Sequence, residues 1–297
     1  MDKHAYLIMA HNNFGILEKL LMLLDDQRND IYIHIDKKVK DFDFHYFSYI
    51  CKNATVVFMK KRIDVRWGSA SQVKTEMLLF EEASKEMHNY YHLLSGVDLP
   101  LKTQNEIYSF FKNDDKEYLY CKPECSQWDY QRLSIYHFPK TWEVHILSYL
   151  YIIQEKLKID RIKNNGMKCC KGYNWCSITH DAVQYLLQRK KFIKKITRLT
   201  VCADEVYKQY LLYNSEFFGR IYRNDKNCTD DLREVDWEQR VGDSPHVYTK
   251  IDYDKLVNSS KLFARKFDEK VDYGIIELIY EYIKERTEYE NRHNNNL

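Results

Sequence analysis

Glycine and proline are scarce in this chain of 297 residues, which contains 8 glycines and 4 prolines. Long flexible linkers are usually rich in glycine, proline or serine, so this scarcity argues against several domains joined by tethers. Neither sign of charge dominates, because 46 basic side chains face 44 acidic ones and leave a net charge of +2. This balance excludes wholesale binding to nucleic acid and restricts any basic patch to a local surface.

Long hydrophobic runs are also missing. The apolar stretch near the start of the chain, in MDKHAYLIMAHNNF, is short and ends at His11. A run of that length suits neither the apolar segment of a signal peptide nor a membrane span. We therefore expect the protein to reside in the cytoplasm.

The eight cysteines show no paired C-x-x-C signature. Irregular spacing in a chain of this size predicts reduced, mostly buried thiols in a reducing compartment. A zinc site formed by Cys121 and Cys125 with Cys169, Cys170 or Cys176 stays open as the alternative.

Strands and helices alternate along the first half of the chain. Apolar runs predict buried strands, and apolar residues at helical spacing predict amphipathic helices. The predicted strands are residues 4–10, 30–36, 55–59 and 90–95, and the predicted helices lie within 12–26 and 69–87. This alternation indicates an α/β fold with a mostly parallel central sheet flanked by helices on both faces.

The second half is less regular, and we find no internal repeat in it. An aromatic strand and loop, a helix, a strand followed by a helix, a further helix and a closing helix are predicted at 117–138, 142–163, 172–192, 203–212 and 273–287. The last residues, 289–297, should be frayed. We expect one domain over residues 1–297.

Polar residues follow the predicted strands. His11, Asp36 and the segment from Ser95 to Asp98 stand at three strand ends. In open parallel sheets ligands bind beyond the carboxyl ends of the strands, so a polar crevice is expected there.

Familiar phosphate-binding motifs are absent, because the chain contains neither G-x-G-x-x-G nor G-x-x-x-x-G-K-[ST]. Two D-x-D pairs occur, Asp41 with Asp43 and Asp252 with Asp254. Neither follows a buried strand, and both are placed to cap helices rather than to hold a metal.

Fixed cations could offset the charge of a diphosphate without a metal. Arg233 in LREVDW, and Arg265 with Lys266 in FARKF, are the candidates, and solvated surface charges are the other interpretation.

A carboxylate pair in CADEVYKQY, Asp204 and Glu205, is the candidate general base. Two helix-capping acids would give the same pattern. Trp67, beside Gly68 and Ser69, belongs either to a core or to the wall of a nucleotide pocket.

Several segments in this order resemble the core-2/I-branching N-acetylglucosaminyltransferase and peptide xylosyltransferase family, glycosyltransferase family 14. The resemblance covers roughly residues 4–270. It rests on the segments AYLIMAHNNFGILEKLL, IYIHIDKK, VRWGSASQVKTEMLLFEEA, YYHLLSGVDLPLKTQNEI, KGYNWCSITHDAVQYLL, ADEVYKQYLL, LREVDW and FARKFD.

The resemblance implies a GT-A-type fold and an inverting transfer from a UDP-sugar to an acceptor hydroxyl, with no metal or other cofactor. About 1–115 would bind the UDP-sugar, and about 116–288 would bind the acceptor and catalyse. Glu205 falls on the family's catalytic base. Lys266 and Arg233 fall on its basic pair at the diphosphate, with Arg240 as the rival of Arg233.

The remaining residues follow from the same resemblance. On the donor side it implies His11, Asp36, Trp67 and Ser69 near the uridine and Asp98 at the floor of the pocket. On the acceptor side it implies Lys122, Glu124, Trp128, Arg132, Trp175 and Asp204.

The animal members carry an N-terminal membrane anchor and disulfides, and we expect neither here. We therefore expect a bacterial cytoplasmic member that builds a surface polysaccharide or glycolipid, with GlcNAc favoured over xylose as the transferred sugar. A basic helix at 184–199, preceded by an apolar run at 146–153, would suit peripheral docking on the inner face of an anionic membrane. An ordinary helix with a solvated basic face is the alternative.

Two other functions stay open at this point. One is a non-catalytic glycan-binding or membrane-associated scaffold that keeps the fold. The other is a metal-dependent transferase that uses Asp98.

Overall fold

The computed structural model describes residues 3–122, 124–138, 142–163 and 167–294. Its internal contacts divide the chain into two compact units. Unit 1 comprises Met1–Arg62, Glu86–Asp115 and Leu232–Leu297, and unit 2 comprises Ile63–Lys85 and Lys116–Asp231. The predicted boundary near residue 115 therefore differs from the observed one, because the C-terminal residues belong with the first segment. The single-domain assignment itself stays a prediction.

Nine strands and eleven α-helices occur in the described residues. The strands are β1 (His4–Ala10), β2 (Asn29–Ile35), β3 (Thr55–Phe58), β4 (Tyr90–Ser95), β5 (Leu99–Pro100), β6 (Tyr118–Leu119), β7 (Cys176–Thr179), β8 (Arg233–Val235) and β9 (Phe263–Arg265). The helices are α1 (Phe14–Leu23), α2 (Phe44–Ser48), α3 (Ala70–Ala83), α4 (Gln104–Phe111), α5 (Gln127–Ser134), α6 (Val144–Lys156), α7 (His180–Gln188), α8 (Lys190–Thr197), α9 (Tyr207–Tyr213), α10 (Tyr253–Val257) and α11 (Tyr273–Asn294).

Four parallel strands form the sheet of unit 1 in the order β3-β2-β1-β4. Every residue of β1, β2 and β4 is buried. Strands covered on both faces are typical of parallel sheets in α/β proteins. The predicted α/β class with a mostly parallel sheet is confirmed.

Gly96 follows β4 and lies against the end of β1. A Cβ at this position would meet the Cβ of Ala10 at 2.7 Å, and the Gly96 amide donates to the Met9 carbonyl over 2.9 Å. Only glycine allows so close an approach. The two strand ends that carry His11 and Asp98 are thereby held side by side.

A second, smaller sheet in unit 1 has the order β5-β9-β8. Strand β9 pairs antiparallel with β5 and parallel with β8. These pairs join the segment after Asp98 to the C-terminal residues that carry Arg233, Arg265 and Lys266.

Helix α11 continues to Asn294, so the prediction of a frayed tail from residue 289 is wrong for the described residues. The Glu290 carboxylate accepts hydrogen bonds from Thr103 Oγ1 at 2.9 Å and Asn105 Nδ2 at 3.0 Å. These bonds hold the last turns of the helix against the start of α4. Residues 295–297 lie outside the described residues.

Two D-x-D acids cap helical turns as predicted. Asp43 accepts from the Tyr46 amide at the start of α2, over 2.8 Å. Asp252 accepts from the Thr249 amide over 2.8 Å and forms a capping box there.

Unit 2 contains the antiparallel strands β6 and β7 and the helices α3, α5, α6, α7, α8 and α9. The basic helix predicted at 184–199 is wrong as a single element, because α7 ends at Gln188 and α8 begins at Lys190. No helix in the described ranges combines the length and apolarity that crossing a bilayer requires.

Cys121 and Cys170 form a disulfide in unit 2, which corrects the prediction that all cysteines are reduced. Cys125 and Cys169 remain free. The alternative zinc site is wrong as well, because the disulfide engages two of its candidate ligands. Spacing along the chain could not reveal this pairing, since the partners are 49 residues apart and meet only through the fold.

Candidate functional site

Asp98, the carboxylate after β4, is completely buried in unit 1. Its Oδ2 accepts a hydrogen bond from the Ser95 amide at 2.8 Å, and its Oδ1 faces Nη1 of Arg265 at 3.4 Å. Burial raises the pKa of Asp98, and the positive charge of Arg265 opposes that rise. The carboxylate therefore serves to orient Arg265 within the protein.

His11 lies in the electrostatic field of several charged side chains at the strand ends of unit 1. Burial lowers the pKa of His11, Asp36 raises it, and Lys38, Lys266 and Arg265 lower it further. A neutral imidazole beside several cations suits contact with a polar ligand that carries negative charge.

Asp36 is buried at the end of β2 and shapes the following loop. It accepts from the Lys38 amide at 2.8 Å and from Lys38 Nζ at 3.0 Å. Arg62 donates to the carbonyl of Asp36 at 2.6 Å and to that of Val39. Both carboxylate oxygens and the neighbouring backbone are thus fixed.

Lys266 is half-buried, and its Nζ donates to Ser244 Oγ at 3.2 Å. Arg233 is only 4% exposed and donates from Nη2 to the Leu93 carbonyl at 3.1 Å. Its guanidinium also lies over the Phe263 ring, 5.0 Å from the centroid. Arg240, the alternative to Arg233 as a cation at the diphosphate, lies on the surface. Arg233 is therefore a buried cation of the sheet, whereas Lys266 is accessible in part.

Glu205 in unit 2 is held by a cation. Nη1 of Arg132 donates to its Oε2 at 2.6 Å, and Lys171 Nζ lies 3.9 Å from the same oxygen. Asp129 completes an alternating ring of charges, at 3.9 Å from Arg132 and 3.8 Å from Lys171. Oε1 accepts no hydrogen bond from the described residues, and the side chain is 30% exposed. This oxygen is open to a proton from outside the protein.

Asp204 points into the interior instead. It is 5% exposed, and burial together with the negative charges of Glu76 and Glu205 raises its pKa to about 7. Behind it, Lys208 contacts Glu76 at 2.5 Å and Asn174 at 2.8 Å, all buried. Asp204 is thus a buried acid next to Glu205 in the chain. Its predicted contact with an acceptor stays a prediction.

Neither Asp204 nor Glu205 caps a helix with its side chain. Residues Ala203–Glu205 form a 3₁₀ turn, and the N-cap of α9 is Val206, which makes no side-chain cap hydrogen bond. The capping alternative for this pair is therefore wrong.

Gly172 supports the same turn, because its amide donates to the Glu205 carbonyl at 2.8 Å. A Cβ on Gly172 would lie 1.8 Å from the Tyr120 carbonyl oxygen. Lys171 and Lys122 exchange backbone hydrogen bonds at 2.7 and 3.2 Å. The segment that carries Lys122 is thereby fixed beside Lys171.

Trp67 and Ser69 lie in unit 2. The Cys202 amide donates to the Gly68 carbonyl at 2.8 Å, which joins this segment to the turn that carries Glu205. Trp67 is 73% exposed, so it is not a core residue. Ser69 caps α3 by accepting from the Ser71 amide at 3.2 Å.

The acceptor candidates differ in exposure. Lys122, Glu124 and Trp128 lie on the surface of unit 2, and Trp175 is half-buried. A further candidate, Arg132, contacts Glu205 directly. The structure therefore brings Arg132, Asp204 and Glu205 together and leaves the roles of the others as predictions.

Sequence reasoning missed Lys171, Asp129, Lys208 and Glu76 as parts of the environment of Glu205. Glu76 lies in the segment VRWGSASQVKTEMLLFEEA and Lys208 in ADEVYKQYLL, and both segments carry the family resemblance. The resemblance could therefore have indicated these two residues. Within the described ranges, no group of three or more His, Cys, Asp and Glu side chains is arranged to hold a metal ion.

Comparison with known proteins agrees with the family resemblance. The family model of the Core-2/I-Branching enzyme matches residues 4–259. Xylosyltransferase 2 of Canis lupus familiaris is 21% identical over 93% of this chain and 33% of its own length. Beta-1,3-galactosyl-O-glycosyl-glycoprotein beta-1,6-N-acetylglucosaminyltransferase 3 of Mus musculus is 22% identical over 96% of this chain and 69% of its own.

The chain thus spans about a third of the dog protein and about two thirds of the mouse protein. Among solved structures, apo mouse xyloside xylosyltransferase 1 matches with a TM-score of 0.35 and 10% identity, covering 73% of this chain and 82% of that one. Because the family model covers most of the sequence, this chain belongs to the Core-2/I-Branching enzyme family.

Proposed function

We propose that this protein is a glycosyltransferase that moves a sugar from a UDP-sugar to an acceptor hydroxyl, with inversion at the anomeric carbon and without a metal ion. GlcNAc is the favoured sugar and xylose the alternative. The acceptor is a glycan or a lipid-linked glycan of surface polysaccharide synthesis. Family membership supports the reaction class. One observation carries the mechanism: Arg132 occupies Oε2 of Glu205 and leaves Oε1 open.

In this mechanism Oε1 of Glu205 removes the proton from the acceptor hydroxyl. The acceptor oxygen forms a bond to the anomeric carbon while the bond from that carbon to the diphosphate oxygen breaks. The electron pair of the broken bond leaves with UDP. A positioned general base typically contributes about 10²- to 10⁴-fold to the rate.

The leaving diphosphate needs positive charge as it departs. Lys266 is the best-supported partner, because it is partly accessible and lies in the same charged neighbourhood as His11. Arg265, oriented by Asp98, is a second cation beside it. Arg233 is bonded to the Leu93 carbonyl, so we assign its charge a supporting role from within the sheet.

The test is a UDP-release assay over a set of UDP-sugars with EDTA present throughout. We expect turnover with one donor and a loss of about 10²-fold or more in Glu205→Gln. Glu216→Gln, an exposed acid of the same unit, is the matched control and should keep its activity. Turnover that EDTA abolishes would exclude the metal-free mechanism. Absence of turnover, with glycan binding retained and no UDP affinity, would favour the non-catalytic scaffold.

A second assay tests whether Lys266 or Arg240 binds the diphosphate. UDP binding measured by calorimetry should weaken in Lys266→Met and stay unchanged in Arg240→Met. Weakening in Arg240→Met alone would show that the exposed arginine meets the diphosphate instead.

A further inference from the structure

Helix α6 in unit 2 carries apolar side chains that the described residues of its unit leave uncovered. Val144 is 73% exposed, Tyr149 65% and Ile152 47%, and Gln154 is the one buried residue of the helix. A helix of a globular protein normally buries an apolar stripe against its own core. The buried residue of α6 is a polar one, so the core of unit 2 does not account for the apolar sequence of this helix.

Two hydrogen bonds between the Gln154 side chain and the Tyr136 backbone hold α6 in place. Gln154 accepts from the Tyr136 amide at 2.7 Å and donates to the Tyr136 carbonyl at 3.1 Å. Phe138 stacks on Trp142 with ring centroids 5.6 Å apart, and Trp142 is 46% exposed. Apolar side chains are therefore presented outward from a fixed helix.

A basic cavity opens beside these aromatic residues. It has a volume of about 600 Å³ and is lined by Tyr136, Phe138, Lys191, Lys194, Lys195, Arg198 and Leu199. Arg161 fixes its wall, since it donates to the carbonyls of Lys195 and Ile196 at 2.8 and 2.9 Å and stacks over Tyr136. Aromatic and cationic side chains thus share one surface.

The described residues of the protein form no salt bridge with the cations of this cavity. Within the described ranges, the salt bridges of unit 2 include one from Lys190 to Glu81 but none from Lys191, Lys194, Lys195 or Arg198. The three lysines and Arg198 are exposed. A concentrated positive charge beside uncovered apolar side chains is complementary to an anionic lipid surface, where the apolar groups enter the headgroup boundary.

We propose that residues 142–157 together with Lys191, Lys194, Lys195 and Arg198, here called the α6–α8 surface, dock this protein on an anionic membrane. Tyr149, Ile152 and Trp142 enter the interface, and the basic cavity takes the anionic headgroups. The proposal stands on the geometry of unit 2 and does not depend on the proposed reaction.

The test is flotation of the full chain with lipid vesicles at low salt. The wild type should float with vesicles that contain phosphatidylglycerol, remain unbound with pure phosphatidylcholine, and dissociate as salt screens the charges. The variant K191E/K194E/K195E should bind about 100-fold more weakly, since each basic residue near an anionic surface contributes about a fivefold factor. Tyr149→Ser with Ile152→Ser should also lose binding.

Matched controls keep the result interpretable. K60E/K61E reverses two exposed lysines of unit 1 and should float like the wild type. Circular dichroism should show that every variant is folded. Failure of the folded wild type to float, or equal flotation of the triple variant, would overturn the proposal. So would a dimer in sedimentation analysis that the same substitutions dissociate, because the surface would then bind a second copy.

Discussion

Arg132 donates a hydrogen bond of 2.6 Å from Nη1 to Oε2 of Glu205. The arginine side chain is 11% exposed and the glutamate side chain 30%, so the glutamate is the more accessible of the two. The contact orients Glu205 and reserves Oε1 for a proton. This arrangement suits a general base that must meet its substrate in one geometry.

Replacement of Arg132 by Met should therefore lower kcat by roughly 10- to 100-fold with little change in KM, because Glu205 stays in place as the base but loses the contact that orients it. Steady-state kinetics of UDP release would measure this. Arg132→Lys should recover part of the loss. Arg189→Met, which removes an arginine stacked on Tyr185, is the matched control and should leave kcat unchanged. Full kcat in Arg132→Met would contradict the positioning role.

Asp204 should make the protein less stable as pH rises. Burial and the nearby charges of Glu76 and Glu205 raise its pKa from 3.8 to about 7. The unfolded chain therefore releases this proton first, and stability falls between about pH 4 and pH 7. This pKa difference between 3.8 and about 7 corresponds to a loss of at most about 4 kcal/mol in the free energy of unfolding.

Asp204→Asn removes this titration, so its stability relative to wild type should increase across that window. Urea unfolding at pH 5 and pH 8 measures the difference. A pH-independent difference between the two proteins would show that Asp204 titrates normally in the folded state.

Gly172 should not tolerate a side chain. A Cβ would meet the Tyr120 carbonyl at 1.8 Å and the Gln209 side chain at 2.6 Å, so the backbone beneath Glu205 must shift. We expect Gly172→Ala to destabilise the protein by about 3 kcal/mol or more, as overpacking does. At Gly219, where nothing lies within 4 Å, the same substitution should be neutral or stabilising by about 0.4–1 kcal/mol. Thermal unfolding of both variants measures these changes in stability. Equal changes in the two variants would refute the steric argument.

The disulfide between Cys121 and Cys170 should stabilise the fold. It closes a segment with a sequence separation of 49, for which chain-entropy arguments give about 4 kcal/mol. Unfolding curves of Cys121→Ser with Cys170→Ser, compared with the exposed Cys228→Ser, measure the effect. A double variant as stable as Cys228→Ser would show that the bond is not formed in solution.

The sequence predicted best what depends on local pattern. Strands β1 and β4 were bounded correctly, because each is a mostly apolar segment that ends where polar residues or glycine begin, at His11 after β1 and at Ser95 and Gly96 at the end of β4. The break between α7 and α8 was missed, because no glycine or proline marks it and both helices are amphipathic.

Contacts distant along the chain were beyond sequence reasoning. Arg132 and Glu205 were both expected at the site, but their hydrogen bond joins residues 73 positions apart. The same holds for Asp98 with Arg265 and for the disulfide. Such pairs are set by the packing of whole elements, which spacing does not encode.

Because unit 1 is composed of three separate segments, it cannot complete its fold until the last of them has been synthesised. Its last segment, Leu232–Leu297, supplies β8, β9 and α11. All of unit 2 is therefore synthesised before unit 1 can assemble its smaller sheet. Until then, the N-terminal strands keep an uncovered surface. Truncation before Leu232 would leave that surface exposed in the finished chain, where aggregation competes with folding.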